Sequence, residues 1–214
     1  PGVVTAELQT AVEKHGRFYP PDPASLKIST LGGNYAENAG GPRCVSYGVT
    51  ADWIRSALIA LPDGTLIDTA AEPGLTQLYA SSEGTLGVAV ELRLHLMERP
   101  PTSATARAVF GSPLAAGRGV TGLLARGLKP AKLEFMDAQT LACVARYRGE
   151  PEPEPGTALL LVELLGGHEA IEADLRVVRE VFSTAGAPEV LVALDETEQE
   201  DLWSMRRDAS PAIA

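Results

Sequence analysis

Residues 29 to 48 read Ser29-Thr30-Leu31-Gly32-Gly33-Asn34-Tyr35-Ala36-Glu37-Asn38-Ala39-Gly40-Gly41-Pro42-Arg43-Cys44-Val45-Ser46-Tyr47-Gly48. Two Gly-Gly pairs and two asparagines indicate backbone that adopts positive φ or approaches another group closely, because glycine lacks a Cβ and asparagine tolerates the left-handed region. Such backbone can direct successive N–H groups into one concavity that favours an anion such as a diphosphate. The alternative is a pair of tight turns between a strand and the next element.

The order of these residues also resembles a known family. Thr-Leu-Gly-Gly-Asn, then Glu-Asn-Ala-Gly-Gly-Pro, then Tyr-Gly is similar to the flavin-binding segment of FAD-linked oxidases of the vanillyl-alcohol oxidase class, which carry a PCMH-type FAD-binding domain. The similarity is strongest to the large flavin subunit of glycolate oxidase and to D-lactate and D-2-hydroxyglutarate dehydrogenases. Three further stretches agree in order and spacing: Phe18 to Pro23, Ser82 to Val88 and Leu202 to Arg207.

The resemblance implies FAD as cofactor and a set of residues that contact it. The first group in that set is Ser29, Thr30, Gly32, Gly33, Asn34, Asn38, Ala39, Gly40, Tyr47 and Gly48, and the second is Glu83, Gly84, Gly87 and Val88. Asp22 and the pair Pro1-Gly2 are weaker members. For each glycine the alternative is turn geometry, and for each apolar member it is core packing.

The resemblance also implies a reaction, the oxidation of a 2-hydroxy acid to the 2-oxo acid with hydride transfer to the flavin. Arg206, three residues after Trp203, aligns with the arginine that binds the substrate carboxylate, a role suited to a planar bidentate donor. Ser210 is a second candidate contact. The alternative for Arg206 is an exposed arginine near a helix end. No histidine has metal-ligand spacing, so we assign neither a base nor a metal ligand.

Composition excludes several classes of protein. The 214 residues carry a formal charge of -10, which argues against a nucleic-acid partner. No apolar run reaches the roughly 18 residues of a membrane span, and no signal peptide is evident, so we expect a cytoplasmic protein. Cys44 and Cys143 are far apart, as expected in a reducing compartment.

Hydrophobic periodicity predicts an α+β chain, and Arg99-Pro100-Pro101, which breaks the pattern, marks a domain boundary. By the resemblance, residues 1–99 would correspond to the second half of the FAD-binding domain. Their sequence pattern predicts a helix over Thr5 to Lys14, a hairpin at Pro62-Asp63-Gly64 and a strand on which Leu86, Val88, Val90, Leu92 and Leu94 alternate. By the same resemblance, residues 100–214 would correspond to part of the family's substrate-covering cap domain. Their strands at 105–110, 132–136, 158–164 and 189–194, with helices at 113–126 and 168–184, follow the ferredoxin-like or split βαβ order. Further helices are expected near 138–144 and from about 196.

The sequence departs from the family at two places. Residues 72 to 77 replace the sequence that normally precedes the Ser-Glu-Gly motif in the family, and Val90 stands where the family usually has a threonine. The family's pyrophosphate loop would precede Pro1 and its paired histidines would follow Ala214, so we expect an inactive internal piece of a longer enzyme, either a fragment or a truncated product. The alternatives are a non-catalytic flavin-fold subunit of a multi-subunit oxidase and a different flavoenzyme such as a cell-wall precursor reductase, which the match of Trp203 to Arg206 disfavours.

Overall fold

The structure is a computed structural model that describes residues 1–213. A three-stranded antiparallel sheet lies in the first half of the chain. The chain divides into two units, Pro1–Arg99 and Pro100–Ala214. The first contains, in order, α1 (Thr5–Glu13), β1 (Arg17–Phe18), α2 (Leu31–Glu37), α3 (Cys44–Tyr47), β2 (Ile54–Ala60), β3 (Leu66–Asp68), α4 (Pro73–Tyr79), β4 (Val88–Leu94) and β5 (Met97–Glu98). The sheet has the order β3-β2-β4, and β1 pairs with β5.

The predicted hairpin between β2 and β3 is confirmed. Gly64 has φ +84°, a left-handed conformation that glycine adopts without steric cost. The Asp63 carboxylate accepts a hydrogen bond from the Thr65 N–H at 2.9 Å and so closes the turn. The predicted helix at the N-terminus is also confirmed, as α1.

The predicted alternation along β4 is wrong in its first half. Leu92 and Leu94 pack against the core of the unit, but Val88 and Val90 are 60% and 44% exposed. The pairing with β2 shifts between Leu58 and Ile59, so that one extra residue of β4 is left unpaired. Such a β-bulge reverses which side chains face the core, and it therefore turns Ala89 inward and Val88 outward.

The second unit contains β6 (Thr102–Phe110), α5 (Pro113–Ala125), β7 (Lys132–Asp137), α6 (Ala138–Arg148), β8 (Ala158–Gly166), α7 (His168–Thr184), β9 (Val190–Ala193) and α8 (Glu196–Ile213). Its sheet has the order β7-β8-β6-β9, with every pair antiparallel. The first and third strands of the unit are therefore the central ones, which confirms the ferredoxin-like arrangement.

Helices cover both faces of this second sheet. Alternate residues of β6, from Ala104 to Phe110, pack with Leu123 of α5 and Phe182 of α7. Gly119 lets α5 approach closely, because a Cβ there would lie 3.2 to 3.3 Å from three core side chains. On the opposite face, residues of β8 such as Leu161 pack with α6 and α8. The helices α6 and α8 are thus additions to the ferredoxin-like core.

Candidate functional site

The first glycine pair lies inside a helix rather than in a turn. Gly32 and Gly33 belong to the first turn of α2, where the Thr30 hydroxyl caps the helix by accepting a hydrogen bond from the Gly33 N–H at 3.3 Å. Within residues 29 to 48, positive φ occurs at Asn38 (50°) and at Gly48 (70°). The left-handed backbone therefore follows the helices α2 and α3 instead of coinciding with either glycine pair.

Close approach explains most of the paired glycines. A Cβ on Gly41 would lie 2.2 Å from the backbone oxygen of Asp22, and one on Gly32 would lie 2.7 Å from the Cβ of Pro1. Gly40 has a similar contact with the side chain of Cys44, at 2.5 Å. The neighbours are atoms of the chain itself, so these glycines first serve the packing of the segment.

The polar side chains of the segment are used internally. Asn34 is buried, and its amide donates to the Thr5 hydroxyl at 2.7 Å. The side-chain oxygen of Asn38 accepts from the Ala51 N–H at 2.9 Å. The carbonyl of Ser29 accepts from the backbone N–H of Thr5 at 2.9 Å. These bonds fix the course of the segment against α1 and the short 3₁₀ helix at residues 50–53.

A cavity of about 220 Å³ joins the two glycine motifs of the first unit. The residues of its lining that the sequence predicted are Pro1, Gly2, Thr30, Gly32, Gly84, Gly87 and Val88. The lining residues that were not in the predicted set are Tyr35, Ala36, Ile59, Tyr79, Ser82 and Ala89. The structure therefore brings together backbone near residue 30 and near residue 85.

The other predicted flavin contacts do not line this cavity. They are Ser29, Gly33, Asn34, Asn38, Ala39, Gly40, Tyr47, Gly48 and Glu83. Tyr47 instead stacks edge-on with Phe18, with ring centroids 6.3 Å apart, and its carbonyl accepts from the Trp53 indole at 2.8 Å. Asp22 is buried, and its carboxylate accepts from the Arg43 N–H at 3.0 Å.

Like Ala36, Tyr35 lies in the glycine segment, lines the cavity and was missed by sequence reasoning. Its side chain is 1% exposed, and its hydroxyl donates to the carbonyl of Thr76 at 2.5 Å. The Thr76 hydroxyl is 2.6 Å from that of Thr69, which accepts from the Ala57 N–H at 2.9 Å. Burial, reinforced by Tyr79, raises the pKa of Tyr35 to about 12. The hydroxyl links α2 with α4 directly, and with β2 through Thr76 and Thr69.

The predicted substrate residues lie on α8 in the second unit. Arg206 pairs with Glu134 of β7, with its Nε 2.6 Å from the carboxylate Oε2. Ser210 lies one turn later and is exposed. The helix is anchored by Trp203, whose indole donates to the Thr105 hydroxyl at 3.0 Å and whose ring lies 4.7 Å from the Lys132 ammonium. Arg206 thus projects from an element that is fixed to the sheet.

No group of three or more His, Cys, Asp or Glu side chains among residues 1–213 could hold a metal ion. No helix there is long and apolar enough to cross a membrane.

Two family models match the chain. The model described as "FAD linked oxidases, C-terminal domain" matches residues 99–214. The model described as "FAD binding domain" matches residues 1–70.

Curated relatives cover the chain from end to end. It is 38% identical to the glycolate oxidase subunit GlcD of Bacillus subtilis, over 100% of this chain and 47% of that protein. It is 35% identical to GlcD of Escherichia coli K12, over 100% of this chain and 44% of that protein. It is 33% identical to a D-lactate dehydrogenase of Anaerostipes hadrus, over 99% of this chain and 47% of that protein. The chain spans about half the length of the curated relatives it matches.

A solved structure shares the fold. The chain is similar to an alkyldihydroxyacetonephosphate synthase with a TM-score of 0.80, over 99% of this chain and 42% of that one. The sequence identity is 21%, so this likeness supports the fold alone.

Proposed function

The chain belongs to the FAD-linked oxidases, and from that membership we propose that it forms part of an FAD-dependent oxidoreductase that oxidises a 2-hydroxy acid of the glycolate or D-lactate type to the 2-oxo acid. Residues 1–99 would be part of the FAD-binding domain and residues 100–214 part of the cap domain. A cytoplasmic location and partner subunits of an oxidase complex complete the proposal. The GlcD relatives are named as subunits of glycolate oxidase.

The observation that carries the proposal is the cavity at which the two glycine motifs meet. Its walls suit a flat aromatic group, because Ile59, Val88 and the ring of Tyr79 supply apolar surface between stretches of glycine backbone. A Cβ on Gly84 would meet no atom within 4 Å, so its backbone faces open space. The residues present therefore fit a flavin ring.

The cavity is too small for a whole dinucleotide. Pockets for drug-sized ligands have volumes of about 300–1,000 Å³, compared with about 220 Å³ here. We infer that this chain holds only one portion of FAD and that other parts of a longer protein hold the rest. Incomplete contacts lower the affinity for a ligand, since the costs of association remain. The chain alone should accordingly be inactive.

Bound FAD would supply the hydride acceptor of the reaction. The residues of this chain would bind and orient. Gly84, Gly87 and Val88 would hold one side of the cofactor and Thr30 and Gly32 the other. Arg206 would bind the substrate carboxylate, with Ser210 as a second contact.

A non-catalytic flavin-fold subunit is the second candidate. The rewritten residues 72 to 77 form the start of α4, and Tyr35 is bonded to the carbonyl of Thr76 within it. Val90, in place of a threonine, is 44% exposed and offers no hydroxyl. Both departures would reduce polar contacts to a cofactor while preserving the fold. If the gene sequence on either side of this chain encodes the family's pyrophosphate loop and paired histidines, that finding would favour the dehydrogenase over this candidate.

The test is FAD binding by the natural flavoprotein that contains this chain, measured by titration with FAD and by the visible absorption spectrum after desalting. A matched pair of variants makes it specific. Gly84 and Gly64 both have positive φ, and an added Cβ meets no atom within 4 Å at either, but only Gly84 lines the cavity. We expect Gly84→Leu to weaken FAD binding at least tenfold relative to Gly64→Leu. Equal affinities in the two variants would refute the assignment of this cavity.

A further inference from the structure

Arg206 uses fewer of its guanidinium nitrogens in hydrogen bonds than the nearby Arg148 does. Its Nε is 2.6 Å from Glu134, and its two terminal nitrogens, Nη1 and Nη2, have no hydrogen-bond partner among residues 1–213. Arg148, by contrast, bonds Asp208 through Nε at 2.6 Å and Ser204 through Nη2 at 2.8 Å. Arg206 therefore retains an unused pair of parallel donors.

The position of the glutamate decides which donors remain. A guanidinium can bind a carboxylate in bidentate fashion at its side, through Nε and one Nη, or at its end, through both Nη atoms. Glu134 occupies Nε, so a second carboxylate has only the end available. Glu134 lies on β7, which pairs with β8 over its full length, so the backbone that carries its carboxylate is held by the sheet.

Burial makes this arrangement selective. The side chains of Glu134 and Arg206 are 18% and 31% exposed, so the pair is partly shielded from water. A glutamate beside the guanidinium also offsets its positive charge, which lowers the attraction for any anion that cannot form both parallel hydrogen bonds. The pair should favour a planar carboxylate over a spherical anion.

We propose that Glu134 is a positioning residue that holds Arg206 by Nε and directs the Nη1–Nη2 end of the guanidinium toward the carboxylate of the 2-hydroxy acid. This inference rests on the proposed function. A purely structural role would instead make Glu134 a tether between β7 and α8. The ion pair of Arg148 with Asp208 is such a tether between α6 and α8, and it provides a matched control.

The experiment uses the natural flavoprotein that contains this chain, with glycolate and D-lactate as substrates. We expect Glu134→Ala to raise KM about tenfold while kcat changes less than threefold, because carboxylate binding is shared by the ground and transition states. Glu134→Gln should keep KM within about twofold, since its amide oxygen still accepts from Nε. Asp208→Ala should lower the melting temperature and raise KM much less than Glu134→Ala does.

Different results overturn different steps. Unchanged KM in Glu134→Ala, or equal KM shifts in Glu134→Ala and Asp208→Ala, would refute the positioning role alone. An unchanged KM in Arg206→Ala would refute the binding of the substrate carboxylate by Arg206, and with it the positioning role of Glu134. A wild-type protein that oxidises neither acid nor any other 2-hydroxy acid would refute the proposed function itself.

Discussion

Replacing Thr105 with valine should destabilise the second unit far more than its small change in shape suggests. Thr105 is fully buried on β6, on the sheet face that α8 covers. Its hydroxyl donates to the side-chain oxygen of Gln199 at 3.1 Å and accepts from the indole of Trp203 at 3.0 Å. Valine preserves the volume and removes both bonds, so one buried donor and one buried acceptor lose their partner.

Each such unsatisfied group costs about 1–3 kcal/mol. The expected loss for the two groups is therefore about 2–6 kcal/mol of unfolding free energy, a large part of the roughly 5–15 kcal/mol that stabilises a typical domain. Urea unfolding followed by far-ultraviolet circular dichroism measures it. Because Trp203 anchors the helix that carries Arg206, the same substitution should also loosen the candidate carboxylate site.

Thr105→Ser is the matched control for this prediction. Serine keeps the hydroxyl and removes only a methyl group, which should cost about 1 kcal/mol. If valine and serine destabilise the protein equally, the cost arises from packing and the hydrogen-bond network contributes nothing. If the Thr105→Val variant is as stable as the wild type, α8 is not held by the hydrogen bonds of Thr105.

Three further substitutions test the fold around the site. Gly41→Ala should cost about 2 kcal/mol or more in thermal unfolding, because its Cβ would lie 2.2 Å from the backbone of Asp22, whereas Gly117→Ala, which meets no atom within 4 Å, should be neutral or stabilising. Tyr35 has a pKa of about 12 when folded and 10.0 otherwise, so the unfolded chain loses the proton first. From pH 10 to 11 the wild type should therefore lose about 1 kcal/mol more unfolding free energy than Tyr35→Phe does. Asp137→Ala removes the carboxylate that caps α6 and should lower stability at pH 7 by about 0.5–2 kcal/mol, an effect that should disappear in acid below the depressed pKa of Asp137.

Local sequence signals predicted most of the elements. The helix His168–Thr184 has the predicted bounds, since its apolar residues repeat with helical spacing over many turns. The strand over residues 189–194 is shorter, at Val190–Ala193, and the helix expected near 138–144 continues to Arg148, where Gly149 ends it in the left-handed conformation. Such differences arise at element ends, where single hydrogen bonds decide the boundary.

The candidate site was predictable only in its backbone. Glycine motifs are visible in sequence because they constrain φ and close approach locally. The side chains of Tyr35, Ile59 and Tyr79 reach the cavity through tertiary packing, and nothing in their local spacing distinguishes them from ordinary core residues. The partner of Arg206 was also invisible, because Glu134 lies 72 residues away along the chain.

The bulge in β4 reconciles two sequence inferences that are incompatible on a regular strand. Strict alternation places Val88 on the same face as Leu92 and Leu94, in the core, whereas the resemblance to the FAD-linked oxidases places it against the flavin. With one extra residue in β4, the face changes within the strand, so Leu92 and Leu94 pack inward while Val88 is 60% exposed and lines the cavity. Bulges re-aim side chains in this way next to functional sites. The bulge makes the strict alternation predicted for β4 wrong. It also allows one end of the strand to pack in the core while the other end lines the candidate cofactor site.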